Sequence, residues 1–417
     1  MAENEKPRRP WTQRIALFFA VMGPGIITAN VDNDAGGLAT YSQAGAMFGL
    51  DTLWIFGPMC VVLIMVQEMC NRMGVVTGQG LSSLIRERFG VKITFYLMLA
   101  LLVTNFGNVM AEFAGIAAAA RLFGVPPWIA VPLCAAGVWY LVIRYNYRSV
   151  EKVFLAACLF YVAYLITAHL VHPPVEQITQ AFVTPKWVPG RAYLVMIIGL
   201  FGTTIAPWMQ FYQQAAIVEK NVHIDDYAYS KADTIIGGIV VHVVAAAIII
   251  VCAQTLNRQG IAIEDGAGAA AALEPLAGPW ARHLFAFGLW NASMFAACIL
   301  PLSTAYTICE ALGWERGVDH SFADAKQFYV LYTASIVLGA AIVLIPKISL
   351  MNIMLYSQVV NGLLLPVVLV FMLILASDRE LMGEHANSRV YNVASWLTAM
   401  ALTALSLSYV YDVIRNA

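Results

Sequence analysis

Three consecutive polar residues, Asp32, Asn33 and Asp34, stand in an otherwise apolar stretch of this sequence. Carboxylate and amide oxygens are the ligands that hard divalent cations take from proteins. An Asp at the centre of a membrane-spanning helix costs about 2.5–3.5 kcal/mol on insertion scales, so it is retained where it faces a cavity, a partner or an ion. The Gly36-Gly37 pair that follows has weak helix propensity. The residues therefore predict an interrupted helix whose opened backbone and Asp34 carboxylate bind a cation.

The composition is that of a polytopic membrane protein. Of the 417 residues, 60% are hydrophobic and 12% are charged, whereas soluble proteins carry roughly 25% charged residues. The formal net charge of −1 gives no reason to expect a nucleic-acid partner, and no loop has a His, Cys and Asp cluster with catalytic spacing. We therefore expect no enzymatic activity, no cofactor and no obligate protein partner, and the lipid bilayer is the expected surrounding.

Apolar segments long enough to cross a bilayer, which takes about 20 residues, number eleven. The first and the sixth contain residues that interrupt a helix, near 34–37 and near 203–207. The segments are 13–49, 51–76, 93–122, 127–146, 150–171, 191–219, 232–257, 280–311, 327–346, 349–376 and 389–414.

The loops between these segments differ in their content of Lys and Arg. With the N-terminus inside, 17 of the 24 Lys and Arg residues fall in inner segments, as the positive-inside rule requires. The alternation predicts a multi-pass protein of the cell membrane with a cytoplasmic N-terminus and an external C-terminus. The inner stretch TGQGLSSLIRERFG after span two is expected to form an amphipathic helix.

Span six has its own interruption at Pro207, which removes a backbone donor and clashes with the preceding turn. Taken alone, a proline in a membrane helix is more often a plain kink. Spans one and six lie five apart, however, and two interrupted spans at corresponding positions are typical of inverted-repeat transporters, whose substrate lies between the breaks. We therefore expect one transmembrane domain, with a first repeat over 1–171, a second over 191–376 and an extra helix over 389–414.

Span ten places Ser357, Gln358 and Asn361 in apolar surroundings. Hydrogen bonds between helices would explain all three, at about 0.6 kcal/mol each on average. Contact between Gln358 and a hydrated cation is the alternative explanation.

Three stretches of this pattern resemble the Nramp (solute carrier 11) family of divalent-metal transporters. GPGIITANVDNDAGGLAT is similar to the family's GPG…DPGNxAT, GTTIAPWM to its GATxMPHN, and SQVVNGLLLP to its SQVVxxLxLP. The resemblance covers nearly the whole chain. It implies the all-α, LeuT-like fold of amino-acid transporters, built from an inverted repeat of five and five spans with the first and sixth broken.

The resemblance carries over to individual residues of the site. Asp34 stands in the place of the family's metal-binding Asp. Gly37 replaces its Asn, Ala206 replaces its ligand Met, and Trp208 replaces its His. The thioether of Met is a soft ligand that favours transition metals, and Ala206 cannot supply one. We expect both small residues to enlarge the cavity and to leave fewer direct ligands.

The remaining ligands would be Asp34, the backbone carbonyls of Val31 and Thr203, and Gln358. Mg²⁺ dehydrates reluctantly and keeps several waters while using one or two carboxylates, so such a site suits a partly hydrated Mg²⁺. The pattern resembles the Nramp-related magnesium transporter branch. That resemblance implies a transported Mg²⁺ or Mn²⁺ as substrate.

Proton coupling is expected to be weak or absent. Other members of the family use acidic and His residues on spans three and six, and an Arg on span nine, as a proton route. Glu112 is retained here, but Val109 stands at the acidic position one turn earlier, Trp208 replaces the His, and span nine has no Arg. We assign Trp208 and Glu112 to the pathway, with the alternative that Glu112 is a neutral, hydrogen-bonded acid inside the bundle.

Two other functions stay open at this point. One is a proton-coupled Mn²⁺/Fe²⁺ transporter, and the other is an amino-acid/cation symporter of the same fold. Asp34 would repel a substrate carboxylate, which places the symporter second to metal transport. Asp32 lines the outer or inner approach to the site, pairs with a neighbour or, as the less favoured alternative, is a direct ligand. Glu68 and Glu310 are expected to face the membrane interface.

Overall fold

α-Helices form nearly all of the regular structure. The structure, a computed structural model, describes residues 31–144, 161–263, 266–317 and 321–415. The longer helices are α1 Ala35–Phe48, α2 Phe56–Thr77, α3 Leu81–Leu122, α4 Pro127–Arg144, α5 Val162–Leu170, α6 Val175–Val183, α7 Arg191–Thr204, α8 Pro207–Glu219, α9 Tyr227–Cys252, α10 Ala281–Leu312, α11 Lys326–Val343, α12 Leu350–Ser377 and α13 Arg389–Arg415. Shorter helical pieces are Leu53–Ile55, Ile224–Asp226, Ala253–Asn257, Gly266–Ala270, Ala271–Leu273, Glu274–Ala277, Gly278–Trp280, Arg379–Met382 and Gly383–His385.

Eight helical stretches in the described ranges are long and apolar enough to cross a membrane. They coincide with predicted spans two, three and six to eleven and confirm them. Span four is present as the shorter apolar helix Pro127–Ile143. Span one before residue 31 and span five before residue 161 lie outside the described residues.

Helix α3 begins with the predicted amphipathic segment. Leu81, Leu84 and Ile85 are buried, whereas Glu87 and Arg88 are exposed. The helix axis then breaks at Gly90, which has φ 82° and ψ 165°. The membrane-length part of α3 follows this break. The periodicity of the sequence therefore identified this segment correctly.

The centre of the bundle is formed by α3, α10 and α12, with the interrupted helices packed beside them. Helix α3 packs against both α10 and α12, α7 packs against α12, and α1 packs against α9 and α12. Helix α13 is peripheral, because its buried residues are few: Ser395, Ala399, Leu402 and Ser406. The start of α1 and the end of α7 thus lie in the interior, where backbone polar groups need partners.

Glu68 was expected at the membrane interface, but it is buried, with 6% of its surface exposed. Its carboxylate forms an ion pair with Arg72 of the same helix at 3.1 Å. It also accepts hydrogen bonds from the hydroxyls of Tyr227 and, at 2.8 Å, of Tyr391. A carboxylate is tolerated at this depth because all of these donors converge on it.

Glu310 is buried as well, and the expectation of an interface position was again wrong. It is 8% exposed, accepts a hydrogen bond from Ser82 at 2.6 Å and pairs with Arg316 at 3.1 Å. Gly80, the residue before α3, lies directly against this carboxylate. The negative charge therefore lies at the N-terminus of α3, which favours an anion.

Candidate functional site

The first interruption lies at Asn33 and Asp34. Val31 and Asp32 are helical, and α1 begins at Ala35. Asp34 is the N-cap of α1, and its Oδ1 accepts a hydrogen bond from the Gly37 N–H at 2.7 Å, the usual bond of a capping Asp. The break is therefore slightly earlier than the predicted 34–37, since the glycine pair already belongs to the first turn of α1.

Glu112 reaches this break from α3. Its Oε2 accepts a hydrogen bond from the Ala35 N–H at 3.3 Å, and its carboxyl lies within hydrogen-bonding reach of that of Asp34. In a continuous helix, the Ala35 N–H would bond the Val31 carbonyl, so Glu112 leaves that carbonyl without its helical donor. Two carboxyl groups this close favour a proton or a cation between them.

The second interruption matches the predicted position near 203–207. Helix α7 ends at Thr204, Ile205 and Ala206 are not helical, and α8 begins at Pro207. The carbonyl of Thr203 would bond the N–H of residue 207 in a continuous helix, and proline has no N–H. The two carbonyls proposed from the sequence, at Val31 and Thr203, have thus both lost their helical donor.

The two interruptions are in direct contact. The Tyr41 hydroxyl of α1 and Thr204 Oγ1 of α7 are hydrogen-bonded at 2.8 Å. A Cβ atom added to Gly37 would lie 3.2 Å from Thr203 Oγ1. The predicted pairing of the breaks is therefore present in the structure.

Gly37 does not enlarge the cavity in the way the sequence suggested. A Cβ atom at this position would lie 2.5 Å from the carbonyl oxygen of Asp32, so the backbone itself fills that space. The absence of a side chain lets the opened segment return closely over the first turn of α1. An Asn side chain here would require the segment to shift.

Gln358 of α12 completes the site and is 2% exposed. Its amide lies so close to Gly36 that a Cβ atom there would overlap it, and the same point is 3.2 Å from Asp34 Oδ1. The amide nitrogen faces α1, while Oε1 accepts a hydrogen bond from Asn361 at 2.9 Å. Contact between Oε1 and a cation would therefore require the amide to rotate.

Asn108 is a member of the site that sequence reasoning missed. It forms two hydrogen bonds with Asn361, at 3.1 and 2.8 Å, and so connects α3 to the amide of Gln358. Asn108 lies four residues before Glu112, which places both on one face of α3. That spacing was the signal that could have identified it.

Ala206 and Trp208 are each 2% exposed. The Ala206 carbonyl accepts hydrogen bonds from the Met209 N–H at 3.1 Å and from Gln210 Nε2 at 3.3 Å. The Trp208 ring lies against Tyr212, with 6.0 Å between the ring centroids. These contacts stabilise the first turn of α8 beside the break.

The chemistry available at the site is that of oxygen ligands. Asp34, Glu112, Gln358 and the hydroxyl of Thr203 supply oxygens, and the described residues contain no group of three or more His, Cys, Asp and Glu arranged as a metal centre. Oxygen ligands suit hard cations, whereas soft metals prefer sulfur and imidazole. Asp34 is 5% exposed, so this conformation shields the site from bulk solvent.

A buried carboxylate at the first of two contacting helix breaks, inside a bundle of membrane-length helices, is typical of an inverted-repeat transporter. The family model described as natural resistance-associated macrophage protein-like (Nramp) matches residues 25–412. The chain belongs to this family.

Comparisons with individual proteins agree with the fold. The divalent metal cation transporter MntH of Deinococcus radiodurans is 25% identical over 402 residues, which are 92% of this chain and 88% of that protein. The structure of the Eremococcus coleocola manganese transporter has a TM-score of 0.77 at 23% identity, covering 97% of this chain and 88% of the other. MhsT, solved with L-phenylalanine, has a TM-score of 0.61 at 13% identity, covering 97% and 99%. The predicted all-α, LeuT-like fold is thereby confirmed, while the count of eleven spans and the cytoplasmic N-terminus stay predictions.

Proposed function

We propose that this protein transports hard divalent metal ions across the cell membrane by alternating access, with Mg²⁺ as the main substrate and Mn²⁺ as a second one. The observation that carries the proposal is the buried Asp34 carboxylate, which lies at the first of two contacting helix breaks in a chain of the Nramp family. A relative of this chain in Deinococcus radiodurans is named a divalent metal cation transporter.

The preference for Mg²⁺ follows from the ligands. Position 206 is Ala, which has no sulfur, and the side chains around Asp34 offer oxygens. Mg²⁺ keeps several waters and needs one or two carboxylates, which Asp34 and Glu112 supply. We propose that the Val31 and Thr203 carbonyls and Gln358 contact the ion or its water shell.

The energy source is proposed to be the membrane potential, which is worth about 2.3 kcal/mol per charge per 100 mV and therefore about twice that for a divalent ion. Val109 is fully buried among apolar groups, Trp208 packs against Tyr212, and helix α11 has no Arg. Glu112 already accepts the Ala35 N–H. These features support weak or absent proton coupling. We propose that the ion is imported into the cytoplasm, the side on which the N-terminus is predicted to lie.

Ion uptake by the purified protein in liposomes tests the function. We expect saturable uptake of Mg²⁺ and Mn²⁺, and uptake at the level of protein-free liposomes for Asp34→Asn, because the site loses its capping carboxylate. Asp51→Asn is the matched control, since Asp51 pairs with Lys186 at 2.7 Å on the surface, away from the site. Wild-type protein that transports neither ion would refute the proposal.

A pH-sensitive dye inside the same liposomes tests the coupling. We expect no acidification that scales with Mg²⁺ influx. One or more protons entering with each Mg²⁺ ion would show that the apolar replacements at Val109 and Trp208 do not interrupt the proton route.

Proton-coupled Mn²⁺ transport is the second candidate. It is favoured by the likeness of the fold to that of the Eremococcus coleocola manganese transporter, and by the contact between Asp34 and Glu112. Competition between equal concentrations of Mg²⁺ and Mn²⁺ decides between the two: uptake of Mn²⁺ that Mg²⁺ does not reduce would favour this candidate.

A further inference from the structure

Asp32 is a buried carboxylate that the proposed site does not use. It is the last helical residue before the first break and is 2% exposed. In the described part of the chain, neither of its carboxylate oxygens has a hydrogen-bond partner, and the side-chain oxygen of the adjacent Asn33 has none. Three buried side-chain oxygens without donors therefore lie at one bend of the backbone.

Three other buried carboxylates among the described residues have partners. Glu68 and Glu310 each pair with an Arg and accept hydrogen bonds from hydroxyls, and Asp34 accepts the Gly37 N–H. No described Lys or Arg lies within ion-pair distance of Asp32, and the charge within electrostatic range is that of Asp34. A buried charge without compensation is strongly destabilising, so this arrangement indicates a carboxylate that serves a cation.

The surroundings of Asp32 point to a hydrated ion. Asp32 and Asp34 are separated by one non-helical residue, and the Tyr41 hydroxyl, which touches Thr204 at the second break, is also within electrostatic range of Asp32. The Asp32 carbonyl oxygen lies close against Gly37, and the two carboxylate oxygens have no hydrogen-bond partner among the described residues. Mg²⁺ usually keeps several of its waters when it binds to one or two carboxylates, so a neighbouring carboxylate can contact those waters.

We infer that Asp32 is a further metal-binding carboxylate, in addition to Asp34 and Glu112, and that it holds the water shell of the divalent cation that Asp34 binds. The inference rests on the proposed function and adds a residue to its site. The segment at the first break would then bind its ion with two carboxylates, Asp32 and Asp34. The bound cation would compensate the Asp32 charge, which no described Lys or Arg neutralises.

Isothermal titration of the full-length protein in lipid nanodiscs with Mg²⁺ tests the inference. We expect Asp32→Asn to weaken Mg²⁺ binding by about tenfold or more, the loss typical of removing an outer contact of a metal. Asp32→Glu should recover most of the affinity, because a contact through water tolerates a displaced carboxylate. Asp51→Asn serves as the isosteric control and should bind as wild type does.

The melting temperature of the metal-free protein separates binding from a structural role. Removing an uncompensated charge should leave this temperature unchanged or raise it in Asp32→Asn, while the increase caused by Mg²⁺ shrinks. Mg²⁺ affinity within twofold of wild type, or a lower metal-free melting temperature, would overturn the inference. If Asp32→Glu binds Mg²⁺ as weakly as Asp32→Asn does, the proposed contact through water is wrong.

The two proposals fail in different ways. If the wild type binds Mg²⁺ and Asp34→Asn does not, while Asp32→Asn binds normally, the role of Asp32 is refuted and the proposed function stands. If the wild type neither binds nor transports Mg²⁺ or Mn²⁺, the proposed function is refuted, and the inference with it.

Discussion

At the scale of single residues, the candidate site combines one capping carboxylate, Asp34, with an Ala at position 206, where the resemblance to the family places a Met. Asp34 Oδ1 accepts a hydrogen bond from the Gly37 N–H at 2.7 Å. A carboxylate has about four acceptor positions, so Asp34 can still bind an ion. Ala206 lies at the second break, and its methyl side chain has no atom that could bind a metal ion. The identity of residue 206 should therefore influence which metals bind.

The substitution Ala206→Met tests this influence. A thioether at the second break should raise Mn²⁺ and Cd²⁺ uptake relative to Mg²⁺ uptake, because sulfur is a soft ligand. Uptake of the three ions in parallel liposome assays measures the ratio. Ala206→Leu is the control for volume, and an equal change of the ratio in both variants would show that size, rather than sulfur, decides selectivity.

At the scale of helices, the two breaks have different causes. The first is held open by groups from other helices: Glu112 takes the Ala35 N–H, and the Tyr161 hydroxyl donates to the Asn33 carbonyl. The second is built into the sequence through Pro207, which has no N–H to offer Thr203. The hydrogen bond between Tyr41 and Thr204 then joins the two.

The substitution Pro207→Ala should therefore repair the second break. A restored N–H can bond the Thr203 carbonyl and extend the helix, so we expect an unchanged or higher melting temperature and uptake of Mg²⁺ reduced several-fold. Pro132→Ala, at a proline inside α4, is the control and should leave uptake unchanged. A Pro207→Ala variant with wild-type uptake would show that the break does not depend on proline.

At the scale of the whole molecule, one buried ion pair joins three membrane-length helices. Arg72 of α2 pairs with Glu68, donates to Asn387 at 2.6 Å and also donates to the His385 carbonyl in the segment before α13. Glu68 accepts from Tyr227 at the start of α9 and from Tyr391 of α13. The peripheral helix α13 is thereby fastened to the bundle at the end that carries the inner loops in the predicted orientation.

Removing one partner of this pair should be costly. We expect Arg72→Met to lower the free energy of unfolding by about 3–5 kcal/mol, because the Glu68 charge stays buried without its partner. Denaturant titration in detergent micelles measures the change. Arg88→Met, which removes a surface pair with Asp378 at 3.2 Å, should cost at most about 1 kcal/mol.

The double variant Glu68→Gln/Arg72→Met checks the reasoning behind this prediction. It removes both charges and should be more stable than Arg72→Met alone, since no unpaired charge remains. A double variant that is less stable than the single one would mean that the hydrogen bonds to Tyr227 and Tyr391 outweigh the ion pair.

Much of the fold could be predicted from the chain alone. Eight of the predicted spans coincide with membrane-length helices, because about 20 apolar residues in a row have one stable form in a bilayer. The break at Pro207 was also predictable, since the loss of a backbone donor is a property of the residue itself. Asp34 and Gln358 were identified as polar groups that an apolar span retains only for a partner.

The positions of partners from distant segments could not be predicted. Glu68 and Glu310 were expected at the membrane interface, and the tertiary structure instead surrounds each with an Arg and with hydroxyls from segments up to 323 residues away. The role of Asn108 and the filling of the Gly37 space by the Asp32 carbonyl were likewise unpredictable. Each of these depends on distances between segments, which sequence spacing does not define.

The sequence by itself thus determined eight of the membrane-length helices and where the second interrupted helix must open, and it placed Asp34 at the first opening. Only the tertiary structure decided how these parts meet: Glu112 against the start of α1, Gln358 against Gly36, and Asp32 without a described partner. The physical reason is that burial and backbone hydrogen bonding follow from local residue types, whereas the neutralisation of a buried charge depends on which other helix is beside it.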